Sequence, residues 1–292
     1  MQGSHNNQKK IAVINDYSGF GRCSIAVAMP IISVMKVQCC PVPTSIFSNH
    51  TGFESFYYED FTDHMQRYID EWKKLDLQFS GVCTGFLGSS EQISIVERFL
   101  TDFKRPETKV IVDPVMGDNG KPYSTYTPEL IRRMKELVDA ADVITPNLTE
   151  TCMLLGEECP PVMSVAQARS WLARLSDKPG IVVIKGVPLI DDDGQKLSNV
   201  GFDRESGSFW RIDWDHIPVH YPGTGDIFTS VLTASLLKGE SLPIALNRAT
   251  TFTEIAVKTT YSYGTEPRLG VLFEDCLSWL MTNTVLCDYR KL

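Results

Sequence analysis

The segment Gly223-Thr224-Gly225-Asp226 combines two glycines, a hydroxyl residue and a carboxylate directly before a helical pattern. The apolar positions of that pattern recur at helical spacing from Ile227 onward. A glycine-rich turn that enters a helix exposes successive backbone N–H groups, and this arrangement binds anions such as phosphate. Asp226 would lie in the first turn and could accept a proton from a substrate hydroxyl. The same residues also fit a tight turn followed by an acidic first helical turn.

The segment Asn147-Leu148-Thr149-Glu150 is a second candidate for chemistry. Glu150 offers oxygen donors that suit a magnesium shell, and Asn147 can hydrogen-bond a phosphate or a metal-bound water. An Asn followed three residues later by Glu is also the pattern of a helix cap. The chain contains neither GxxxxGK[ST] nor a complete GxGxxG, so the P-loop and dinucleotide-binding classes lack their motif.

Five short apolar, β-branched runs each end in a polar residue that is followed closely by Gly or Pro. The runs are Ile11–Ile14, Val82-Cys83, Val110–Val112, Val143-Ile144 and Ile181–Ile184. Continuous runs of this kind are typical of strands buried on both faces of a parallel sheet. Helical periodicity occurs over Ser89–Leu100, after Thr127-Pro128, over Val165–Leu175 and over Ile227–Leu237. The alternation predicts an α/β fold with a three-layer, doubly wound, mostly parallel sheet.

Ligands of such sheets bind outside the carboxyl ends of the strands, where the polar run-ends would gather. These residues are Asn15, Asp16, Thr84, Asp113, Asp118, Thr145, Asn147, Glu150 and Lys185. Carboxylates beside a lysine suit a metal-bound, phosphorylated ligand, although each residue is also a common turn former or helix cap. Leu197–Phe202 and Ser208–Asp213 predict a small antiparallel hairpin that is either an edge ribbon or a border of the ligand site.

Composition excludes several classes of protein. The 292 residues include 28 Lys+Arg and 36 Asp+Glu, a net charge of −8, without a basic run that would favour nucleic acid or an anionic membrane as partner. The first ten residues lack the apolar core of an export signal, so we expect a cytoplasmic protein with eight reduced cysteines. The histidine spacing gives no support for zinc. We expect one domain over residues 1–292, with residues 1–8 disordered.

The combination of Asn147 and Glu150 with the later Gly-Thr-Gly-Asp segment resembles the ribokinase-like superfamily of small-molecule kinases. The resemblance covers Ile11 to about Tyr261 and is closest to the pyridoxal/pyridoxine/pyridoxamine kinases, with hydroxymethylpyrimidine kinases as neighbours. Phe47-Ser48-Asn49-His50-Thr51-Gly52 looks like the substrate segment of the vitamin B6 kinases. The stretches 113–118 and 144–147 also match that family.

The resemblance implies an ATP-dependent kinase that phosphorylates the 5′-hydroxymethyl group of a B6 vitamer with Mg²⁺, as a homodimer, with a monovalent cation such as K⁺ as a further family expectation. Asp226 would be the base, and the backbone of Gly223, Thr224 and Gly225 would form the anion hole. The substrate would contact Asn15, Asp16, Phe47, Thr51 and Phe86. ATP would contact Asp113, Asp118, Thr145, Asn147, Glu150, Lys185, Gly186 and Thr224, with Asp113 and Glu150 near the metal. His50 is predicted to be structural.

Some segments depart from the B6 kinases and leave the substrate open. Asp16-Tyr17-Ser18-Gly19 and Lys185-Gly186 look more like hydroxymethylpyrimidine kinases, and Phe86 stands where the B6 kinases often carry Tyr. The alternatives are therefore a hydroxymethylpyrimidine kinase and a non-catalytic vitamer carrier. Retention of the complete Gly-Thr-Gly-Asp segment counts against the carrier. The last stretch, Val271 to Leu292, is predicted to form an amphipathic helix.

Overall fold

The structure is a computed structural model that describes residues 8–191, 194–282 and 287–292. The predicted disorder at the amino terminus therefore falls, apart from residue 8, outside the described residues. The strands are β1 Lys10–Phe20, β2 Gln38–Asn49, β3 Tyr58–Asp60, β4 Gly81–Thr84, β5 Lys109–Val112, β6 Gly117–Asp118, β7 Lys121–Pro122, β8 Val143–Ile144, β9 Met163–Ser164, β10 Ile181–Asp191, β11 Gly194–Asp203, β12 Ser208–Trp214 and β13 Arg290–Lys291.

The helices alternate with these strands along most of the chain. They are α1 Ser24–Val34, α2 Thr62–Lys74, α3 Ser90–Phe103, α4 Pro128–Asp139, α5 Leu148–Leu155, α6 Val165–Leu175, α7 Thr224–Leu237 and α8 Leu242–Ser262, with 3₁₀ helices at Pro267–Leu269 and Glu274–Met281. Among the described residues, no helix has both the length and the apolar character that crossing a membrane requires.

One large sheet runs in the order β13-β12-β11-β10-β8-β5-β4-β1-β2-β3. Its middle, from β10 to β2, is parallel, whereas β11, β12 and β13 on one side and β3 on the other pair antiparallel. The five apolar runs all lie in the parallel part, which confirms the predicted sheet. The predicted hairpin is also present, as β11 and β12.

Helices cover both faces of the sheet and complete the three predicted layers. Ala12 and Ile14 of β1 pack on one face together with residues of α2 to α6. Ile11 and Val13 point to the opposite face, where they join residues of α1, α7 and α8. Alternate residues of one strand are thus buried on opposite faces, which explains why the run is apolar throughout.

All four predicted helices form, and three of them begin with caps that their sequences supply. The hydroxyls of Ser89, Thr127 and Ser164 each accept a backbone N–H in the first turn of α3, α4 and α6. Such caps satisfy amides that have no acceptor inside a helix. Helix α7 begins at Thr224, so Asp226 lies in its first turn, as expected from the sequence.

Two parts of the chain differ from the sequence prediction. Strand β1 pairs with β4 only as far as Ile14, but it continues beside β2 as far as Phe20, so the two strands project past their neighbours. The prediction of one amphipathic helix over 271–292 is wrong. That segment forms 3₁₀ turns at Glu274–Met281, and Arg290–Lys291 pairs with β12. Its apolar side chains are buried against α1 and α8 without a helical period, and the final strand covers a sheet edge.

Candidate active site

A cavity of about 1680 Å³ opens at the carboxyl ends of the parallel strands. The predicted site residues that line it are Asn15, Asp16, Phe47, Thr51, Phe86, Asp113, Asp118, Asn147, Glu150, Lys185, Gly186, Gly223, Thr224, Gly225 and Asp226. Thr84 and Thr145 also follow strands, but both are fully buried behind the cavity wall. The hairpin borders the cavity through Leu197, Asn199 and Trp214.

The amino terminus of α7 forms one wall of the cavity and presents free backbone amides. Gly223 precedes the helix with φ of +85°, and a Cβ there would overlap the carbonyl oxygen of Arg22. The helical ladder begins where the N–H of Ile227 donates to Gly223 O at 2.9 Å. The amides of Thr224, Gly225 and Asp226 precede that bond and have no acceptor within the helix. They form the start of a helix with its partial positive charge, which suits an anion.

Asp226 is a half-buried carboxylate held by neutral donors. The backbone N–H of Ser24 donates to its Oδ2 at 2.9 Å, and Asn15 Nδ2 donates to Oδ1 at 3.4 Å. Ser24 has φ of +55°, an uncommon conformation for a residue with a side chain. Burial raises the pKa of Asp226 to about 7, and the carboxylates of Asp16 and Asp113 add to the shift. A carboxylate with this pKa can accept a proton near neutral pH.

Lys185 and Asp113 form a buried ion pair beside this helix. Lys185 Nζ donates to both oxygens of Asp113, at 2.9 and 3.0 Å. Burial alone would lower the pKa of Lys185, but Asp113 and Glu150 outweigh it, and the pKa lies above its ordinary value. Nζ lies 3.6 Å from where a Cβ at Gly225 would be, so the cation is held against the start of α7.

Asn147 and Glu150 form a capping box at the start of α5. Asn147 Oδ1 accepts the N–H of Glu150 at 2.8 Å, and Glu150 Oε2 accepts the N–H of Asn147 at 2.7 Å. Met116 N–H donates to the other oxygen of Glu150 at 3.2 Å. Burial raises the pKa of Glu150 to about 8, opposed by Lys185 and reinforced by Asp113. The helix-cap interpretation is therefore correct, and both side chains also face the cavity.

These carboxylates fit a metal ion that arrives with a nucleotide. Within residues 8–191, 194–282 and 287–292, no group of three or more His, Cys, Asp or Glu could hold a metal by itself. Mg²⁺ usually keeps several waters and binds one or two carboxylates together with substrate phosphates. Asp113 and Glu150 supply such hard oxygen donors in the same cavity as the anion-binding amides.

The other end of the cavity is aromatic. Phe47 packs against Tyr58 with ring centroids 4.8 Å apart and against Phe56 at 5.9 Å. Phe86 is held through its backbone, because its N–H donates to Asn15 Oδ1 at 2.7 Å. These rings provide apolar surface for a flat heteroaromatic substrate.

Polar groups also face the aromatic end of the cavity. Asn15 reaches both Phe86 and Asp226, so it joins this end to the start of α7. Burial raises the pKa of Asp16 to about 6, and Ser18 Oγ donates to its Oδ2 at 3.5 Å. Thr51 is exposed at the mouth of the cavity.

His50 is engaged by backbone groups through both ring nitrogens. Gly52 N–H donates to Nδ1 at 3.0 Å, so Nε2 carries the proton that it donates to Arg268 O at 2.8 Å. This bonding fixes the neutral ring against the loop of residues 266–270. It agrees with the structural role expected for a lone histidine in a turn.

Some residues that line the cavity were not predicted from the sequence. They are Phe56 and Tyr58 near the ring end, Tyr123, the segment 214–221, and Thr250, Thr253, Glu254 and Val257 of α8. The aromatic density of residues 53–58 was a usable signal for the first two. Residues of α8 carry no motif, and only the packing of α8 beside α7 brings them to the cavity.

Comparison with known proteins identifies the family of this chain. The sequence model described as phosphomethylpyrimidine kinase matches residues 30–269. The chain belongs to that family. It is accordingly a ribokinase-like phosphotransferase with an alcohol acceptor, which counts further against the non-catalytic carrier.

Relatives of this kinase carry two kinds of name. The hydroxymethylpyrimidine/phosphomethylpyrimidine kinase of Haemophilus influenzae is 30% identical over 191 residues, which cover 65% of this chain and 70% of that protein. A Bacteroides thetaiotaomicron structure, provisionally named as a phosphomethylpyrimidine kinase and crystallised with pyridoxal, has a TM-score of 0.93 and 43% identity over 98% of this chain and 100% of its own. Pyridoxal kinase from Lactobacillus plantarum has a TM-score of 0.84 and 26% identity, and covers 94% and 97%.

Proposed function

We propose that this kinase transfers the γ-phosphoryl group of ATP to the 5′-hydroxymethyl group of a vitamin B6 vitamer. The Bacteroides thetaiotaomicron protein carries the proposal, because it aligns over nearly the whole chain at 43% identity and was crystallised with pyridoxal. The aromatic end of the cavity offers the surface that a pyridine ring requires. Magnesium, a homodimer and a K⁺ requirement are parts of the proposal that rest on the family resemblance, whereas a cytoplasmic location and a single domain rest on the sequence.

Asp226 is the proposed general base. Its carboxylate lies between the aromatic end of the cavity and the first amides of α7, so a hydroxymethyl group could approach it and the γ-phosphate together. Burial places its pKa at about 7, which lets the ionised form accept the hydroxyl proton at neutral pH. Asn15 and Ser24 N–H hold its two oxygens and aim the carboxylate.

The amides at the start of α7 and the ammonium of Lys185 would stabilise the transferring phosphoryl group. Phosphoryl transfer requires mainly positioning and neutralisation of charge on the equatorial oxygens. Bound Mg²⁺ would neutralise the nucleotide phosphates, and Asp113 and Glu150 would hold it through oxygen atoms. The cavity segment 214–221 and α8 would enclose the rest of the nucleotide.

The test is the variant Asp226→Asn, assayed for 5′-phosphorylated product with Mg-ATP and pyridoxal. We expect turnover to fall by about 100-fold or more, since positioned acid–base groups contribute about that much. Binding of ADP should persist. The matched control is Asp139→Asn, which removes the same charge from the exposed end of α4. Near-normal turnover of Asp226→Asn would contradict its assignment as the base.

A second candidate function is a hydroxymethylpyrimidine kinase. It is favoured by the relative from Haemophilus influenzae and by Asp16 and Ser18, which lie together in the cavity. The pyrimidine carries an exocyclic amino group, and a carboxylate can accept a hydrogen bond from it. The same carboxylate can accept one from the phenolic hydroxyl of a B6 vitamer, so Asp16 suits both rings.

A further inference from the structure

Thr229 lies one helical turn after Asp226 on α7 and is buried. Its hydroxyl donates to Asp113 Oδ2 at 2.8 Å, and its oxygen lies 3.2 Å from Thr145 Oγ1. A hydroxyl has one proton, and the ion-paired carboxylate of Asp113 only accepts. Thr145 must therefore donate to Thr229, which donates to Asp113.

This chain of hydrogen bonds ends at Asp113, which forms the ion pair with Lys185. Asp113 Oδ2 accepts from both Thr229 and Lys185, and Oδ1 accepts from Lys185. Among the described residues, the carboxylate thus accepts three hydrogen bonds, and the one from Thr229 is the one that comes from α7. Through it, the helix that provides the anion-binding amides also fixes the group that holds the ammonium near Gly225.

We propose that Thr229 is a positioning residue that sets Lys185 relative to the amides of α7 and so tunes binding of the nucleotide phosphates. The inference rests on the proposed placement of ATP beside Lys185. It also gives Thr145 a role other than the direct nucleotide contact expected from the sequence. Thr145 is fully buried and orients the Thr229 hydroxyl from behind.

The same helix offers a matched control. Thr233 lies one turn further along α7 and is equally buried, but its hydroxyl lies beside the thiol of Cys83 instead of a charged group. Thr229→Val and Thr233→Val are both nearly isosteric and each removes one buried hydroxyl. Thr229→Ser retains the hydroxyl and removes only a methyl group. Thermal unfolding of the three variants shows how much each loses in stability alone.

The measurements are steady-state kinetics and the ADP dissociation constant by calorimetry. We expect Thr229→Val to lose about tenfold in kcat/KM for ATP and in ADP affinity, because a hydrogen bond to a charged group is lost. The KM for the vitamer should stay within about twofold of wild type, because the changed pair does not face the ring end. Thr229→Ser and Thr233→Val should resemble the wild type. Adding Thr145→Val to Thr229→Val should cost little more, because both act in one chain.

The proposal would be overturned if kcat/KM for ATP and ADP affinity were unchanged in Thr229→Val, or if Thr229→Val and Thr233→Val lost them equally. Equal losses of kcat/KM for ATP and of ADP affinity in Thr229→Ser and Thr229→Val would also overturn it. Packing, and not the hydroxyl, would then determine nucleotide binding. If Thr229→Val does not fold, Thr229→Ala against Thr233→Ala makes the same comparison. ADP binding needs no vitamer, so it tests Thr229 even if Asp226→Asn or the substrate panel contradicts the proposed function.

Discussion

Asp226 is surrounded by donors that carry no charge, and this determines its behaviour at the scale of the residue. Ser24 N–H and Asn15 Nδ2 orient the carboxylate, while burial and two neighbouring carboxylates keep its pKa near 7. The charge of Lys185 lowers that pKa, but burial outweighs it. A base in this setting retains affinity for a proton and can still be ionised at neutral pH.

The pH dependence of kcat/KM should reflect the protonation of the Asp226 carboxylate. A base must be deprotonated to act, and its raised pKa means that the inactive, protonated form dominates below about pH 7. We expect kcat/KM to fall tenfold per unit as the pH decreases below that value. ADP binding measured over the same range is the control. A profile that stays flat down to pH 5 would contradict the role of Asp226.

Substituting Asn15 should move that pH profile. Asn15→Asp places a second negative charge where Nδ2 now donates to Asp226 at 3.4 Å. A like charge at this distance raises the pKa of its neighbour, so the acidic limb should move upward by on the order of one pH unit. Asn15→Ala removes the same hydrogen bond without adding charge and is the control. Identical pH profiles of the two variants would show that a charge at position 15 does not change the pKa of Asp226.

At the scale of the element, sequence patterns predicted those strands that contain a continuous apolar run and those helices whose apolar residues recur at helical spacing. The strands β4, β5, β8 and β10 are apolar runs within one sheet, and they were found. Strand β2 was missed because Pro41 and Pro43 interrupt it, and proline usually marks a strand as interrupted or at an edge. Helix α1 carries Pro30 in its interior and was likewise not predicted.

Helix α7 allows a test in which its two ends are compared. Gly223 and Gly239 flank it with φ of +85° and +91°, but only at Gly223 would a Cβ collide with backbone; around Gly239 nothing lies within 4 Å. Gly239→Ala should cost about 1–2 kcal/mol in the free energy of unfolding, from backbone conformation alone. Gly223→Ala should cost more and should also lower turnover by about 100- to 1000-fold by displacing the anion-binding amides.

Urea unfolding and ADP release measure the two effects of these alanine variants. Equal stability and equal turnover in Gly223→Ala and Gly239→Ala would contradict the importance of the close approach to Arg22. If both Gly223→Ala and Gly239→Ala lost turnover, catalysis would depend on the whole of α7 and not specifically on its amino terminus.

At the scale of the whole molecule, the gathering of polar residues at one sheet edge was predictable because parallel strands end on the same side. Fifteen of the predicted site residues line one cavity for that reason. Pairings between distant segments were not predictable. The pair of Lys185 with Asp113 depends on the order of β10, β8 and β5 in the sheet. The contacts of Ser24 with Asp226 and of Thr229 with Asp113 depend on how α1 and α7 pack on the sheet. The contribution of α8 depends on packing in the same way.

The central claim is the choice of vitamin, and one assay tests it most directly. ADP release with Mg-ATP is measured on pyridoxal, pyridoxine, pyridoxamine and hydroxymethylpyrimidine, with Asp226→Asn as the blank. We expect kcat/KM to be highest on a B6 vitamer, because residues 47–52 and the aromatic rings around Phe47 form the ring end of the cavity. A higher kcat/KM on hydroxymethylpyrimidine would contradict this account and would assign substrate choice to Asp16 and Ser18.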